Sequence, residues 1–351
     1  MKSPIDIPEL FSAALDIEQA KKTPVSVNIL IDETASPSFQ SFVRAGFNTE
    51  SPNARVMVSY FPTQTPDPSL NCDVVVIAAG ENKDLVDIAA AFKAEGKPTL
   101  IVTMDAEGLE EIAKEANKPL DARDVVSAKV GQPLDEDIKG ELADQIGSWV
   151  AKYAEDKKLA FSLAYPFVRK PIAKASVNLT AAENAGVGLI AFSPAADMPI
   201  MTANQAKMIL QIAAAYGQPL SKDRVKEIGA VIGGALLFRG ISRQVAGLIP
   251  AIGPVIKAGM GYAGTVVVGN AAIDYFENGG DMAGLAAVVS DARQGVMEAA
   301  GFVATQPLYK KAVSVAGPKV AQAGEKVARR IAPISSEAMK TLLVKVDRKK
   351  Q

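Results

Sequence analysis

The sequence predicts an α/β fold, a doubly wound and mostly parallel sheet, followed by a C-terminal all-α domain rich in glycine and alanine. Two observations carry this expectation. Up to about residue 155, short β-branched runs alternate with apolar stripes at helical spacing, and strands separated by helices close into a parallel sheet. From about residue 172 the strand signals fade, and long apolar stretches bearing alanine and glycine replace them.

The first strand is Val25 to Ile31, a β-branched run after Pro24, and Arg55 to Phe61 is the second. Cys72 to Ala79 is nearly continuous apolar, as a strand buried on both faces must be. Thr99 to Thr103 and Asp124 to Ser127 complete the set. Between them, Leu85, Ile88, Ala89 and Phe92 share a helical face, as do Leu109, Ile112, Ala113 and Ala116. Leu134, Ile138, Leu142, Ile146, Trp149 and Tyr153 form a longer stripe. In such a fold ligands bind at the carboxyl ends of the strands.

Those ends carry a family resemblance. The strand spacing and the closing Ser127-Ala128-Lys129-Val130-Gly131 resemble an Era-type GTPase domain. In that family a Ser-Ala-Lys turn touches the guanine base, and an Asn-Lys-x-Asp motif one strand earlier reads it. The corresponding stretch here is Val102-Thr103-Met104-Asp105, which keeps only the aspartate. The resemblance makes Asp105, Ser127, Ala128 and Lys129 vestigial guanine-site candidates, with remnants or surface charges as the plainer reading of Asp105 and Lys129.

The phosphate site departs from the family. A P-loop needs Gly-x-x-x-x-Gly-Lys-Ser/Thr after the first strand, so that backbone amides wrap the phosphates and the lysine neutralises them. The chain instead reads Asp32-Glu33-Thr34-Ala35-Ser36-Pro37-Ser38-Phe39. Asp32 and Pro37 hold the glycine positions, Ser38 the lysine position and Phe39 the hydroxyl position. Proline removes an amide donor. Each carboxylate beside a phosphate charge, at roughly 4 Å and an effective dielectric near 20, costs about 4 kcal/mol. The plain reading of Asp32 and Glu33 is a helix cap or a solvated loop end; the functional one is a docking surface for a basic partner. No Asp-x-x-Gly follows the second strand, where Pro62-Thr63-Gln64-Thr65-Pro66 stands. GTP hydrolysis is therefore not expected.

Residues 152–175 mix charges, aromatics and two prolines, and Pro166 and Pro171 are expected to interrupt any helix there. The expected division is an α/β domain over 1–155, a linker or connecting helix over 156–178, an apolar helical domain over 179–305 and a basic helical tail over 306–351. Within the helical domain, Ser193 to Pro199 reads as a turn before a helix from Ile200 to Tyr216, stopped by Gly217. Ser221 is the N-cap of the next helix, with Asp223 in its first turn. A further stretch from Gln244 to Phe276 follows.

Three segments there carry a second resemblance. They are Asp197-Met198-Pro199-Ile200 with Asn204-Gln205-Ala206-Lys207-Met208-Ile209; Tyr216-Gly217-Gln218-Pro219-Leu220; and Arg239-Gly240-Ile241-Ser242-Arg243-Gln244 with Leu248-Ile249-Pro250-Ala251-Ile252-Gly253-Pro254. Together they resemble a helical domain of unknown function that follows Era-like GTPase domains in many bacteria and cyanobacteria, over roughly residues 180–305. The resemblance implies that fold and membrane association, but no activity.

A spanning helix needs about 20 apolar residues. The longest charge-free runs are Gln244 to Ile256, 13 residues, and Ala258 to Ile273, 16 residues, with Lys257 between them. A buried soluble hairpin, a membrane-inserted one and reversible surface association all remain open for residues 228–276. The candidate membrane or partner contacts are Leu248, Ile249, Pro250, Ile252, Pro254, Val255 and Ile256, with Lys310, Lys311, Arg329 and Arg330 in the tail. Basic residues near an anionic bilayer contribute roughly 1 kcal/mol each.

Charge is divided along the chain. Residues 1–150 carry 25 acidic and 13 basic side chains, and residues 151–351 carry 14 and 25. The basic half suits an anionic membrane surface or another copy's acidic half. Nucleic acid is not expected, because the tail lacks an aromatic stacking platform. There is no histidine, which excludes imidazole proton shuttles, Ser-His-Asp triads and His–metal sites. The lone Cys72 rules out an intramolecular disulfide and reads as a buried thiol. The amino terminus shows no secretory h-region, so the expected place is the cytoplasm, with the inner face of the cell membrane as a further site.

The functional expectation is a non-catalytic GTPase-like scaffold or regulatory module, its helical domain joining a membrane, a GTPase-family protein or another copy. No cofactor or metal is expected. The alternatives left open are a divergent GTP-binding hydrolase with a non-standard phosphate site, using GTP and Mg²⁺, and a membrane-remodelling protein that assembles head to tail.

Overall fold

The computed structural model describes residues 7–129, 131–190, 194–234 and 253–292. They fall into two compact units. One holds Ile17–Ala175 with Ala215–Gly217; the other holds the described residues up to Asp16, Ser176–Ala214 and those from Gln218 onward.

The first unit is a five-stranded sheet of β1 (Val25–Asp32), β2 (Ala54–Phe61), β3 (Val74–Ala79), β4 (Thr99–Thr103) and β5 (Val125–Ser127). The order is β2-β1-β3-β4-β5, and every adjacent pair is parallel. The sheet is thus wholly parallel. The chain's progression across the sheet reverses at the β1–β3 gap, which makes that gap the switch point of a doubly wound fold. Strand alternation sends Val27, Ile29 and Ile31 of β1 and Val74, Val76 and Ala78 of β3 to one face. Leu30, Val75, Ile77 and Ala79 go to the other.

Helix α1 (Ile7–Ala20) opens the described chain. On the first face of the sheet lie α2 (Pro37–Gly46), α5 (Glu136–Tyr153) and α6 (Lys158–Ala164), through Phe39, Val43, Leu142, Ile146, Trp149 and Phe161. On the second lie α3 (Leu85–Ala94) and α4 (Ala106–Glu115), through Leu85, Ala89, Phe92, Leu109 and Ala113. Helix starts follow local chemistry. Ser36 caps α2 with Pro37 at its first position, and Asp135 caps α5 by accepting from the Ile138 amide at 2.9 Å. Asp124 does not belong to β5 as expected. It ends a 3-10 turn, Ala122–Asp124, capped by Asp121.

Of the two prolines, Pro166 interrupts the helix as expected and Pro171 does not. Pro166 opens a 3-10 turn, Pro166–Val168, and breaks the chain after α6. Pro171 interrupts nothing, because it sits in the first turn of α7 (Arg169–Ile190), where no intrahelical donor is lost. Tyr165, Val168 and Ile172 join the core of the sheet unit.

The second unit contains most of α7 and α8 (Pro194–Ala215), α9 (Lys222–Gly234), α10 (Gly253–Glu277) and α11, residues 282–292. Of the turn expected over Ser193 to Pro199, residues 194–199 belong instead to α8, and Ser193 lies outside the described residues. Helix α8 is buried over most of its circumference at Ala206, Met208, Ile209, Leu210, Ile212 and Ala213, with Ile200 and Gln211 exposed on the remaining face. Gly217, at φ +78°, ends the run, and Ser221 caps α9 by accepting from the Arg224 amide at 3.4 Å. A Cβ on Gly269 would collide with Val177, so the glycine lets α10 lie against α7. Residues 235–252 lie outside the described residues.

Candidate functional site

The carboxyl ends of the strands are where this fold offers a site, and the β1–β3 gap is its centre. Asp32, the last residue of β1, is fully buried. Its Oδ1 accepts from the Thr34 amide at 2.9 Å and the Thr34 hydroxyl at 2.7 Å. Its Oδ2 accepts from the Gly80 amide at 2.9 Å and the Asn82 amide at 3.1 Å. Thr34 Oγ1 in turn accepts from the Glu81 amide at 2.7 Å. The amides that gather at the switch point are therefore taken by side chains of the β1–α2 loop.

Glycine at position 80 is required by this closure. A Cβ there would run into Thr34 Oγ1 and the backbone nitrogen of Ala35. The two loops meet backbone to backbone, with the Asp32 carboxylate sealed between them. A buried ionised group is tolerated only when its lone pairs are filled by donors, and here four donors fill them.

Asp32 is thus neither a helix cap nor a solvated loop end, since the cap of α2 is Ser36. Glu33 is exposed. Its amide donates to Phe61 O and its Oε2 accepts from the Thr63 amide, both at 3.0 Å. The sequence did contain a local signal for part of this arrangement. Asp-x-Thr at a strand end is a pattern in which the carboxylate turns back on the amide two residues on.

The residues expected as vestigial guanine-site candidates come to neighbouring strand ends, since Thr103 and Ser127 are paired in register. Asp105 caps α4, accepting from the Gly108 amide at 3.0 Å. Ser127 closes β5, and Ala128 is buried with its amide donating to Thr103 O at 3.3 Å. Lys129 is exposed, and no ion pair joins it to Asp105 among the described residues. Gly108 leaves the Asp105 carboxylate its place, because a Cβ would strike it.

Among the described residues no group of three or more Cys, Asp or Glu is arranged to hold a metal ion. Cys72 is buried, and burial raises its thiol above the ordinary range, as suits an inert core thiol.

Of the candidate membrane contacts, Leu248, Ile249, Pro250 and Ile252 lie outside the described residues, as do Lys310, Lys311, Arg329 and Arg330. Pro254, Val255 and Ile256 fall in the first turn of α10. No helix of the described residues is long and apolar enough to cross a membrane. Inside the helical unit, Asn184 and Thr265 are fully buried and bonded to each other at 2.9 Å. Asn204 donates to Asn184 Oδ1 at 3.0 Å, Gln205 donates to Thr265 Oγ1 at 3.1 Å, and Thr265 donates to Gly261 O at 2.7 Å. This network joins α7, α8 and α10 and has the form of a register lock, every member being bonded.

Residues 167–301 match the model of a domain of unknown function (DUF697). The matched stretch takes in α7 to α11. No curated protein matches the chain, and no solved structure does. The sheet-bearing part receives no family from these comparisons.

Proposed function

We propose that this chain is a non-catalytic, GTPase-like scaffold or regulatory module. Its α/β unit offers a rigid docking body, and its helical, DUF697-bearing part attaches it to an anionic membrane surface or to a partner such as a GTPase-family protein. The reading places it in the cytoplasm, at the inner face of the membrane when attached. The observation that supports it is the Asp32 latch. A triphosphate needs amide donors at the first strand end and a lysine to neutralise it. Here the donors of Thr34, Gly80 and Asn82 are held by a buried carboxylate. Position 38, where the lysine would stand, is a serine. The Ser127-Ala128-Lys129 turn, beside a strand that leads into Asp105, is the remaining point of likeness to the GTPases.

The test is direct titration of the full chain with a fluorescent GTP analogue, with and without Mg²⁺. The expected result is no saturable binding at micromolar nucleotide. Saturable, Mg²⁺-dependent binding would overturn the scaffold reading in favour of a divergent hydrolase.

A further inference from the structure

We propose that β2 is an interaction edge through which the α/β unit pairs with β2 of a second copy of this chain. The pairing needs nothing of the nucleotide reading above.

Strand β2 ends the sheet, with β1 on one side and, among the described residues, no strand on the other. Its register with β1 is unbroken from Val25–Ala54 to Asp32–Phe61. Parallel pairing of this kind uses the backbone groups of alternate residues. The amide of Val25 donates to Asn53 O, and that of Glu33 to Phe61 O. The odd-numbered residues of β2 therefore face β1, and Ala54, Val56, Val58 and Tyr60 point their N–H and C=O groups outward.

Partners from within the chain stand at both ends of this outer row, on the amide at Ala54 and on both groups at Tyr60. The Ala54 amide donates to Ser51 O at 3.1 Å. Gln64 takes both groups of Tyr60, its Oε1 accepting from the Tyr60 amide at 2.9 Å and its own amide donating to Tyr60 O at 2.7 Å. Between the two closures stand Val56 and Val58, whose outward groups have no partner among the described residues.

Proteins blunt an open edge with lysine, proline, a bulge or a covering element. Strand β2 reads ARVMVSYF, without lysine or proline. Its register has no bulge, and its one charge, Arg55, donates to Asn71 O at 2.6 Å. At the opposite edge β5 is only three residues long.

The open residues are two apart, which is the spacing that matches itself across a two-fold axis. An antiparallel second copy sets Val56 opposite its Val58, and Val58 opposite its Val56. Both are pairs that exchange two hydrogen bonds, so four backbone bonds close. Met57 meets its counterpart on the axis. Arg55 faces Ser59 of the second copy, so no like charges stand opposite, and β-branched pairs suit the contact. This self-match, with closures at both ends of the same window, selects a second copy over an unrelated strand.

Sedimentation velocity of the full chain over a rising concentration series tests the pairing, and a reversible dimer is expected. Val58→Pro removes an outward N–H that the sheet does not use, a place an edge strand tolerates proline, and is expected to leave a monomer with unchanged circular dichroism. Ser59→Glu sets a carboxylate opposite Arg55 of the second copy and Ser59→Arg a like charge. The first is expected to tighten the dimer roughly fivefold and the second to weaken it roughly fivefold. If Val58→Pro fails to fold, the two Ser59 variants still decide. A wild-type chain that stays monomeric throughout overturns the proposal, as does a dimer indifferent to the Ser59 variants. A monomer whose β2 amides gain exchange protection only when another protein is added also overturns it, and assigns the edge to that occupant.

Discussion

Asp32 accepts from three backbone amides and one hydroxyl, and its removal would leave all four facing a sealed interior. Charge-assisted hydrogen bonds contribute about 1.5–3 kcal/mol each, and an abandoned buried donor costs about 1–3 kcal/mol. Asp32→Ala is therefore expected to lower the unfolding free energy by about 3 kcal/mol or more in urea titration. Asp32→Asn is expected to recover only part of this, because its amide group sets N–H against N–H. The aspartate was visible in the sequence as something other than a P-loop glycine, but its role was not. Two of its partners, Gly80 and Asn82, lie 48 and 50 residues further along, beyond the reach of any local pattern. Asp105 presents the reverse case. Its side chain caps the Gly108 amide three residues on, an ordinary arrangement that a local pattern does disclose.

Elements of the sheet unit are tied by a second carboxylate. Asp124, at the end of the 3-10 turn, accepts from Lys93 of α3 at 2.7 Å and from Trp149 of α5 at 3.1 Å. Burial pushes this carboxyl up, but the hydrogen bonds from Lys93, Trp149 and Tyr153 outweigh it, and the net direction is below the ordinary 3.8. A carboxyl lowered in the folded state contributes stability above its unfolded value and loses it as pH falls through the folded one. Stability is thus expected to decline as pH drops below about 3.8. Asp124→Asn is expected to flatten that acid limb while lowering stability near neutrality, as read from thermal midpoints across pH. Strands were the most legible elements, because β1, β3 and β4 are apolar runs bounded by turns. Helix α6 was not, since its Lys158-Leu159-Ala160-Phe161-Ser162-Leu163-Ala164 sits among charges and ahead of Pro166. Its burial comes from packing against the sheet, which periodicity over seven residues does not disclose. Pro171 departs from expectation for a physical reason: proline ends a helix from the inside but is at home in its first turn.

Across the whole molecule, the 25 acidic side chains of residues 1–150 and the 25 basic ones of residues 151–351 set a sign for self-association. Contacts between acidic and basic halves weaken as salt screens them. Pairing through the uncharged backbone of Val56 and Val58 does not. Raising ionic strength from low to high is therefore expected to leave the dimer constant unchanged or tighter by sedimentation, and marked loosening would point to head-to-tail assembly instead. At this scale the division into a sheet-bearing and a helical part was legible from the loss of strand signals after residue 172. The buried Asn184–Thr265 contact was not, because polar residues inside apolar helices look like surface until three helices are brought together. The latch at the head of β1 also bears on how such a molecule responds to its surroundings. A group tethered within its own chain competes at an effective concentration in the millimolar range or above, and this one is shielded from solvent as well. On the scaffold reading, dissolved anions at ordinary cellular levels are therefore expected to leave it in place, and the crevice to keep one arrangement.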